Sequence, residues 1–330
     1  MIRASGPLRS RQFSHPYRDA MNSSRPRSGV RAVTPTVTAV YVPRRVPQLT
    51  TVLLRDLQHQ LYLWPGADPQ PIVLLHGWGD SAATWQFLVD HASDSRSWLA
   101  LDLRGFGRTQ HVQGGYWFPD YLGDLDALLD SLSPSGPFDI VGHSMGGNIA
   151  MLYAGVRPQR VRRLVNLDGF GLEQPPAEEA PRRYAQWLDQ LKHGTRYASY
   201  ESYEQFVSLL ARRNPRTPLD RLAFIARAWA YESESGRIEL RADPAHRRVN
   251  PVLYQRDQAL ACWRSISAPS LYVTGALSEH KPYLERYISS QAPGSQAANV
   301  VVKTLHDTGH MLHHERPREL AALVEDFLNA

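Results

Sequence analysis

The sequence predicts an α/β architecture: a mostly parallel sheet with helices on both faces, interrupted by a helical insertion. Three observations carry this. Short continuous apolar runs such as Ile72-Val-Leu-Leu75 read as strands buried on both faces. They alternate with segments of helical spacing, the pattern of βα units. That alternation stops after Gly171 and resumes near Ser270.

The elements follow in order. Residues 36–42 alternate as a strand should, and residues 51–54 and 60–64 read as strands. Residues 72–75 form the first buried strand, followed by a helix at 84–91 and a strand at 98–103. Residues 116–132 place Tyr121, Leu125, Leu128, Leu129 and Leu132 at helical spacing. A strand at 138–141, a small-residue helix at 146–156 and a strand at 164–167 complete this half. Residues 172–262 hold no clear strand and are rich in Arg, Glu and aromatic residues, which predicts a helical insertion. Strands at 270–274 and 299–303, with helices at 281–289 and 317–328, close the chain.

Composition narrows the class. The chain has 330 residues, 42% hydrophobic and 21% charged, which fits a globular protein of one large domain with an insertion, or two domains. No run approaches the roughly 18 apolar residues of a membrane span, so no integral membrane segment is expected. Lone Cys262 excludes an internal disulfide framework and a cysteine-rich metal site. The basic balance is confined to the start. Residues 1–32 hold seven arginines and one acid; without them the 37 basic and 32 acidic residues fall to 30 and 31. A neutral body argues against nucleic-acid binding.

Residues 1–35 therefore read as a disordered basic tail. The tail lacks the apolar core of about 7–15 residues that a secretory signal needs. An unstructured extension, with Met21 as an alternative start, is favoured over an organelle transit peptide, and the expected location is cytoplasmic. The chain is expected to act as a monomer or homodimer.

The chemistry centres on Gly142-His143-Ser144-Met145-Gly146, between a predicted strand and a predicted helix. A serine there sits on a sharp strand-to-helix turn that projects its hydroxyl from the sheet edge. Glycines at 142 and 146 let strand and helix approach. The helix N-terminus aims N–H groups at developing negative charge. Upstream, His76-Gly77-Trp78-Gly79 follows a buried strand, so the backbone N–H groups of Trp78 and Met145 form the expected oxyanion hole. His76 itself is read as structural. A serine needs a base to take its proton. Among His306, His310, His313 and His314, the Gly309-His310 pair after the last strand stands in the right place.

These stretches, with Asp102-Leu-Arg-Gly-Phe-Gly-Arg-Thr109, resemble the α/β-hydrolase superfamily in its capped serine esterase-like branch. The matches stand in the family's order across most of residues 50–330. The resemblance implies an eight-stranded sheet, a cap after the sixth strand and a Ser–acid–His triad. It gives core segments at 36–171 and 263–330, a cap at 172–262, and a structural role for the 102–109 loop.

The acid stays open between two candidates. The family's usual position, after the seventh strand, reads Gly275-Ala-Leu-Ser278-Glu279, where Glu279 stands in place of Asp. Asp168, after the sixth strand, is the rival, because some relatives carry their acid there. Either could orient His310. Asp307 and Glu315 are read as solvated neighbours.

A serine at the turn implies an acyl-enzyme on a small acyl substrate, carboxylic esters first, with no metal or organic cofactor. Cap aromatics suggest an apolar group on that substrate. Thioesters, lactones, carbon–carbon bonds, cofactor-free perhydrolysis and a non-hydrolytic binding role remain open alternatives.

Overall fold

The computed structural model describes residues 39–289 and 300–330. Eight strands form one sheet: β1 Gln48–Leu54, β2 Leu57–Trp64, β3 Asp68–Leu75, β4 Arg96–Leu101, β5 Phe138–His143, β6 Val161–Leu167, β9 Ser270–Gly275 and β10 Val300–Leu305. Their spatial order is β1-β2-β4-β3-β5-β6-β9-β10. The β2 strand runs antiparallel to both neighbours; the remaining pairs from β4 to β10 are parallel. This is the α/β-hydrolase sheet that the resemblance implied.

The apolar runs of the central strands have a physical cause. Ile72 and Leu74 of β3 point into one core, and Val73 and Leu75 into the other. The first core is closed by α1 Gln86–Val89 and α10 Pro317–Asn329. The second is closed by α2 Phe118–Leu132, α3 Met145–Val156, α7 Arg256–Trp263 and α8 Lys281–Ser289. Both faces must then be apolar, and each fully buried Leu, Val or Ile contributes about 1.5–3 kcal/mol. Exposed β1 and β10 sit at the sheet edges and carry the mixed sequences expected there.

The chain steps from β3 to β4 on one side and to β5 on the other. Such a reversal opens a crevice at the carboxyl ends of the strands. Register brings those ends level: Leu75 pairs with Gly142, and His143 with Leu167. Gly275 pairs with Leu305. The segments after β3, β5, β6, β9 and β10 therefore meet along one edge.

Between β6 and β9 the chain builds α4 Ala180–His193, α5 Tyr203–Arg213 and α6 Leu219–Trp229. Helix α5 is capped by the Ser202 hydroxyl, which accepts from Gln205 N–H at 3.3 Å. Phe206, Val207, Leu210, Leu222, Ile225 and Trp229 form a third core that takes in Phe87. Helix α7 packs instead on α3 of the main body.

Two expectations fail here. The segment 172–262 contains a strand pair, β7 Ala230–Glu232 and β8 Ile238–Leu240, joined through Gly236 at φ 74°. Three residues per strand are too few to show alternation. The strand expected at 36–42 is absent over 39–42, and 36–38 lie outside the described residues. There the Tyr41 hydroxyl donates to Asp90 Oδ2 at 2.8 Å, and its ring meets Phe87 edge-on at 4.9 Å. Tyr41 thus joins the third core rather than a ladder, and Pro43 supplies no ladder donor. The basic tail to residue 35 and Asn299 also lie outside the described residues. Among the described residues, no helix is long and apolar enough to cross a membrane.

Candidate active site

Ser144 is the single residue between β5 and α3, at φ 51° and ψ −113°. A non-glycine residue there stores roughly 1–3 kcal/mol of strain. Its neighbours hold it in place. Ser144 N–H donates to the Leu167 carbonyl at 2.8 Å, and its own carbonyl accepts from Asn148 N–H at 3.0 Å. The helix passes so close to the sheet that a β-carbon on Gly146 would overlap the Leu75 carbonyl. Gly146→Val is therefore expected to destabilise the fold by about 3 kcal/mol, measured by urea denaturation.

The loop after β3 lies against the serine. A β-carbon on Gly77 would stand 3.3 Å from Ser144 Cβ and 2.9 Å from His143 Nδ1. Trp78, next in the chain, is half-buried and packs edge-on against Phe106 at 6.4 Å. His76 shapes this loop. Its Nδ1–H donates to the Gly77 carbonyl at 2.7 Å, while Nε2 accepts from Leu103 N–H at 2.9 Å. Burial pushes its pKa down, which suits a neutral ring making both bonds. Asp102 does similar work, accepting from Ala82 and Arg108 N–H at 2.7 and 2.8 Å. Burial raises its carboxyl to about 6.

The structure brings Ser144, His310 and Asp168 together. His310 Nε2 lies 3.0 Å from Ser144 Oγ, and its Nδ1 lies 2.7 Å from Asp168 Oδ2. With the ring proton on Nδ1 donated to the carboxylate, Nε2 is left to accept from the hydroxyl. Asp168 is 2% exposed and sits at φ 57° directly after β6. Its Oδ1 accepts from Thr274 Oγ1 at 2.6 Å, and Ser278 Oγ donates to Oδ2. Asn166 brackets the turn, bonding both N–H and carbonyl of Gly169 at 3.0 and 2.7 Å.

Glu279 is placed apart from this line. Its side chain is 49% exposed, and its carboxylate lies 3.8 Å from His280 Nε2. The turn after β9 points Ser278 inward and carries Glu279 out. Thr274 and Ser278 were not singled out from sequence, because a hydroxyl that steadies a carboxylate leaves no spacing signature.

The His310 loop is tied from several directions. The His310 carbonyl accepts from His143 Nε2–H at 2.8 Å. Burial holds the His143 pKa well below the usual histidine range, so this ring donates while neutral. Gly309 N–H donates to Glu315 Oε2 at 2.8 Å, and Arg216 Nε pairs with that same oxygen at 2.6 Å. Glu315 is therefore buried and paired rather than solvated; Asp307 is exposed as expected. Arg216 lies between α5 and α6, so the inserted segment itself braces the histidine loop. His306 is exposed, whereas His313 and His314 are buried beside Asp80.

Comparison with known proteins agrees with this architecture. Residues 72–323 match the model of the alpha/beta hydrolase family. A "Serine hydrolase-like protein" of Danio rerio is 34% identical over 111 residues, covering 33% of this chain and 34% of that protein. The "2-hydroxy-6-oxo-2,4-heptadienoate hydrolase" of Pseudomonas putida is 36% identical over 106 residues, covering 31% and 38%. The chain spans about a third to a half of the length of the first curated relatives it matches. Among solved structures, the thioesterase domain from the curacin biosynthetic pathway superposes with a TM-score of 0.72 at 24% identity, covering 85% of this chain and 99% of that one. At that identity the likeness concerns the fold alone.

Proposed function

The chain belongs to the alpha/beta hydrolase family, and from that premise we propose that it is a serine hydrolase cleaving carboxylic esters or related acyl compounds through an acyl-enzyme. The observation that carries the reading is the continuous line from Asp168 through His310 to Ser144 Oγ, at 2.7 and 3.0 Å. Ser144 Oγ attacks the acyl carbon as its proton passes to His310 Nε2. The Asp168 carboxylate stabilises the imidazolium and fixes its orientation. The carbonyl oxygen gains negative charge and is held by the backbone N–H groups of Trp78 and Met145. Collapse breaks the acyl–oxygen bond, and His310 returns the proton to the departing alcohol. Water then repeats the sequence on the acyl-enzyme, regenerating the Ser144 hydroxyl.

Asp168 is assigned as the acid and Glu279 is not. The support is burial, distance and the two hydroxyls that donate to the Asp168 carboxylate. Residues 172–255 are assigned as the cap over the site, with α7 belonging to the core on which it packs. The cap aromatics favour an apolar acyl or alcohol group.

Labelling with a fluorophosphonate probe tests the reading. One equivalent of label on Ser144 by peptide mass spectrometry is expected. A folded chain that takes no label overturns the proposal. A panel of p-nitrophenyl esters with short, medium and long acyl chains, run beside a thioester and a β-diketone, then ranks the substrate classes.

A further inference from the structure

Beside the serine site, three further side chains converge. Asp80 ends the loop after β3, while His313 and His314 lie in the short helix α9 Leu312–Glu315, just past His310. They are 3%, 0% and 1% exposed. Asp80 Oδ1 is saturated by three donors, the Ser81 N–H, the Thr84 hydroxyl and the Trp229 indole N–H, each at 2.8 Å. Its Oδ2 faces two imidazoles: His313 Nε2 at 3.1 Å and His314 Nε2 at 3.6 Å. The His314 Nε2 makes no hydrogen bond, nor does the outer Nδ1 of His313.

Hydrogen bonding alone accounts poorly for this arrangement. A buried polar atom left without a partner costs about 1–3 kcal/mol. Here the buried His314 Nε2 stands 3.6 Å from Asp80 Oδ2, beyond hydrogen-bond reach, and finds no other partner. The ligand-capable atoms of the three residues all lie within 4.8 Å of one another. Zinc-class bonds of about 2.0–2.2 Å place tetrahedral ligand atoms roughly 3.3–3.5 Å apart. The contacts at 3.1 and 3.6 Å bracket that spacing. One carboxylate and two neutral imidazoles suit a divalent cation of borderline softness. The three donors on Oδ1 supply the outer support that fixes a ligating carboxylate. Trp85 at 4.9 Å from His313, and Phe87 at 5.8 Å from His314, wall the cluster with aromatic rings. A small pocket is lined by Asp80 and Ser81 together with Trp229 and Leu240 of the inserted segment.

We propose that Asp80, His313 and His314 form a binding site for one divalent transition-metal cation of the zinc class. The cation replaces the His313 Nε2–H bond to Asp80, and the neutral ring carries its proton on Nδ1 instead. A water completes the coordination. The site takes no part in the acyl transfer. It ties the loop carrying Trp78 to the loop carrying His310, so its loading sets the stability of that junction. This inference stands independently of the reaction proposed above.

The test is calorimetric titration of the metal-stripped full chain with zinc chloride, with thermal melting alongside. One saturable equivalent and a raised Tm are expected. In His314→Gln the affinity falls at least roughly tenfold and the Tm rise disappears, while exposed His306→Gln binds like the parent. Cobalt(II) loading with X-ray absorption counts ligands without any substitution, so it decides the matter even if His314→Gln fails to fold; two imidazoles are expected. Absence of a one-to-one site, unchanged binding in His314→Gln, equal loss in His306→Gln, or fewer than two imidazoles on cobalt overturns the proposal.

Discussion

Ser144→Ala is expected to lower kcat on an activated ester by roughly 10⁴–10⁶-fold while leaving the fold intact. The size follows from the line of hydrogen bonds. His310 has no proton to remove once Oγ is gone, and Asp168 then orients a base without a nucleophile. Members of such a unit fail together, so Ser144→Ala and Ser144→Ala/His310→Ala should have almost the same residual rate. The fold survives because the contacts that hold residue 144 are made by its backbone, to Leu167 and Asn148. Alanine keeps the strained φ of 51°. Glycine removes it, so Ser144→Gly should be equally inactive yet more stable than Ser144→Ala by about 1 kcal/mol. Steady-state kinetics and chemical denaturation on the same samples separate the two effects. A Ser144→Ala protein with more than a tenth of the parent activity would remove the assigned nucleophile.

Much of this site was legible because the sheet brings distant segments together by rule. A parallel strand ends where its loop begins, so each buried run marks a point on the common edge. That logic places Ser144 after β5, Trp78 after β3 and His310 after β10 from the sequence. It could not choose between Asp168 and Glu279. Both follow strands on the same edge, and the choice depends on how Gly275-Ala-Leu-Ser278 turns, a matter of a single residue's direction. The Asp80 cluster was hidden for a related reason. Asp80 and His313 are separated by 233 positions, and nothing local in either segment marks the other. The β7–β8 pair was missed because it is set by contacts of the insertion, including the Tyr200–Ile238 bridge, rather than by alternation.

The second large effect lies in the acid. Asp168→Asn is expected to lower kcat by about 10⁴-fold, whereas Glu279→Gln should leave it within about twofold of the parent. The reason is tautomeric. The amide removes the negative charge that stabilises the imidazolium, and its NH₂ can donate to His310 Nδ1, which pushes the ring proton to Nε2. That nitrogen then meets Ser144 as a donor and cannot accept its proton. Thr274 works in the same direction, because its hydroxyl donates to Oδ1 and keeps the amide oxygen there, leaving the NH₂ toward His310 against the single Ser278 hydroxyl on the other side. The backbone is not the cause of the loss. Residue 168 sits at φ 57°, a region asparagine occupies at little cost, so the melting profile should change only slightly. Glu279 is half exposed and faces His280, so its charge is screened by solvent before it reaches the ring. Nucleophile labelling separates chemistry from structure here. Asp168→Asn should still take fluorophosphonate at Ser144, but slowly, because the hydroxyl remains in place and only its base is mis-protonated. Normal turnover in Asp168→Asn together with a collapse in Glu279→Gln would transfer the acid's role to the turn after β9.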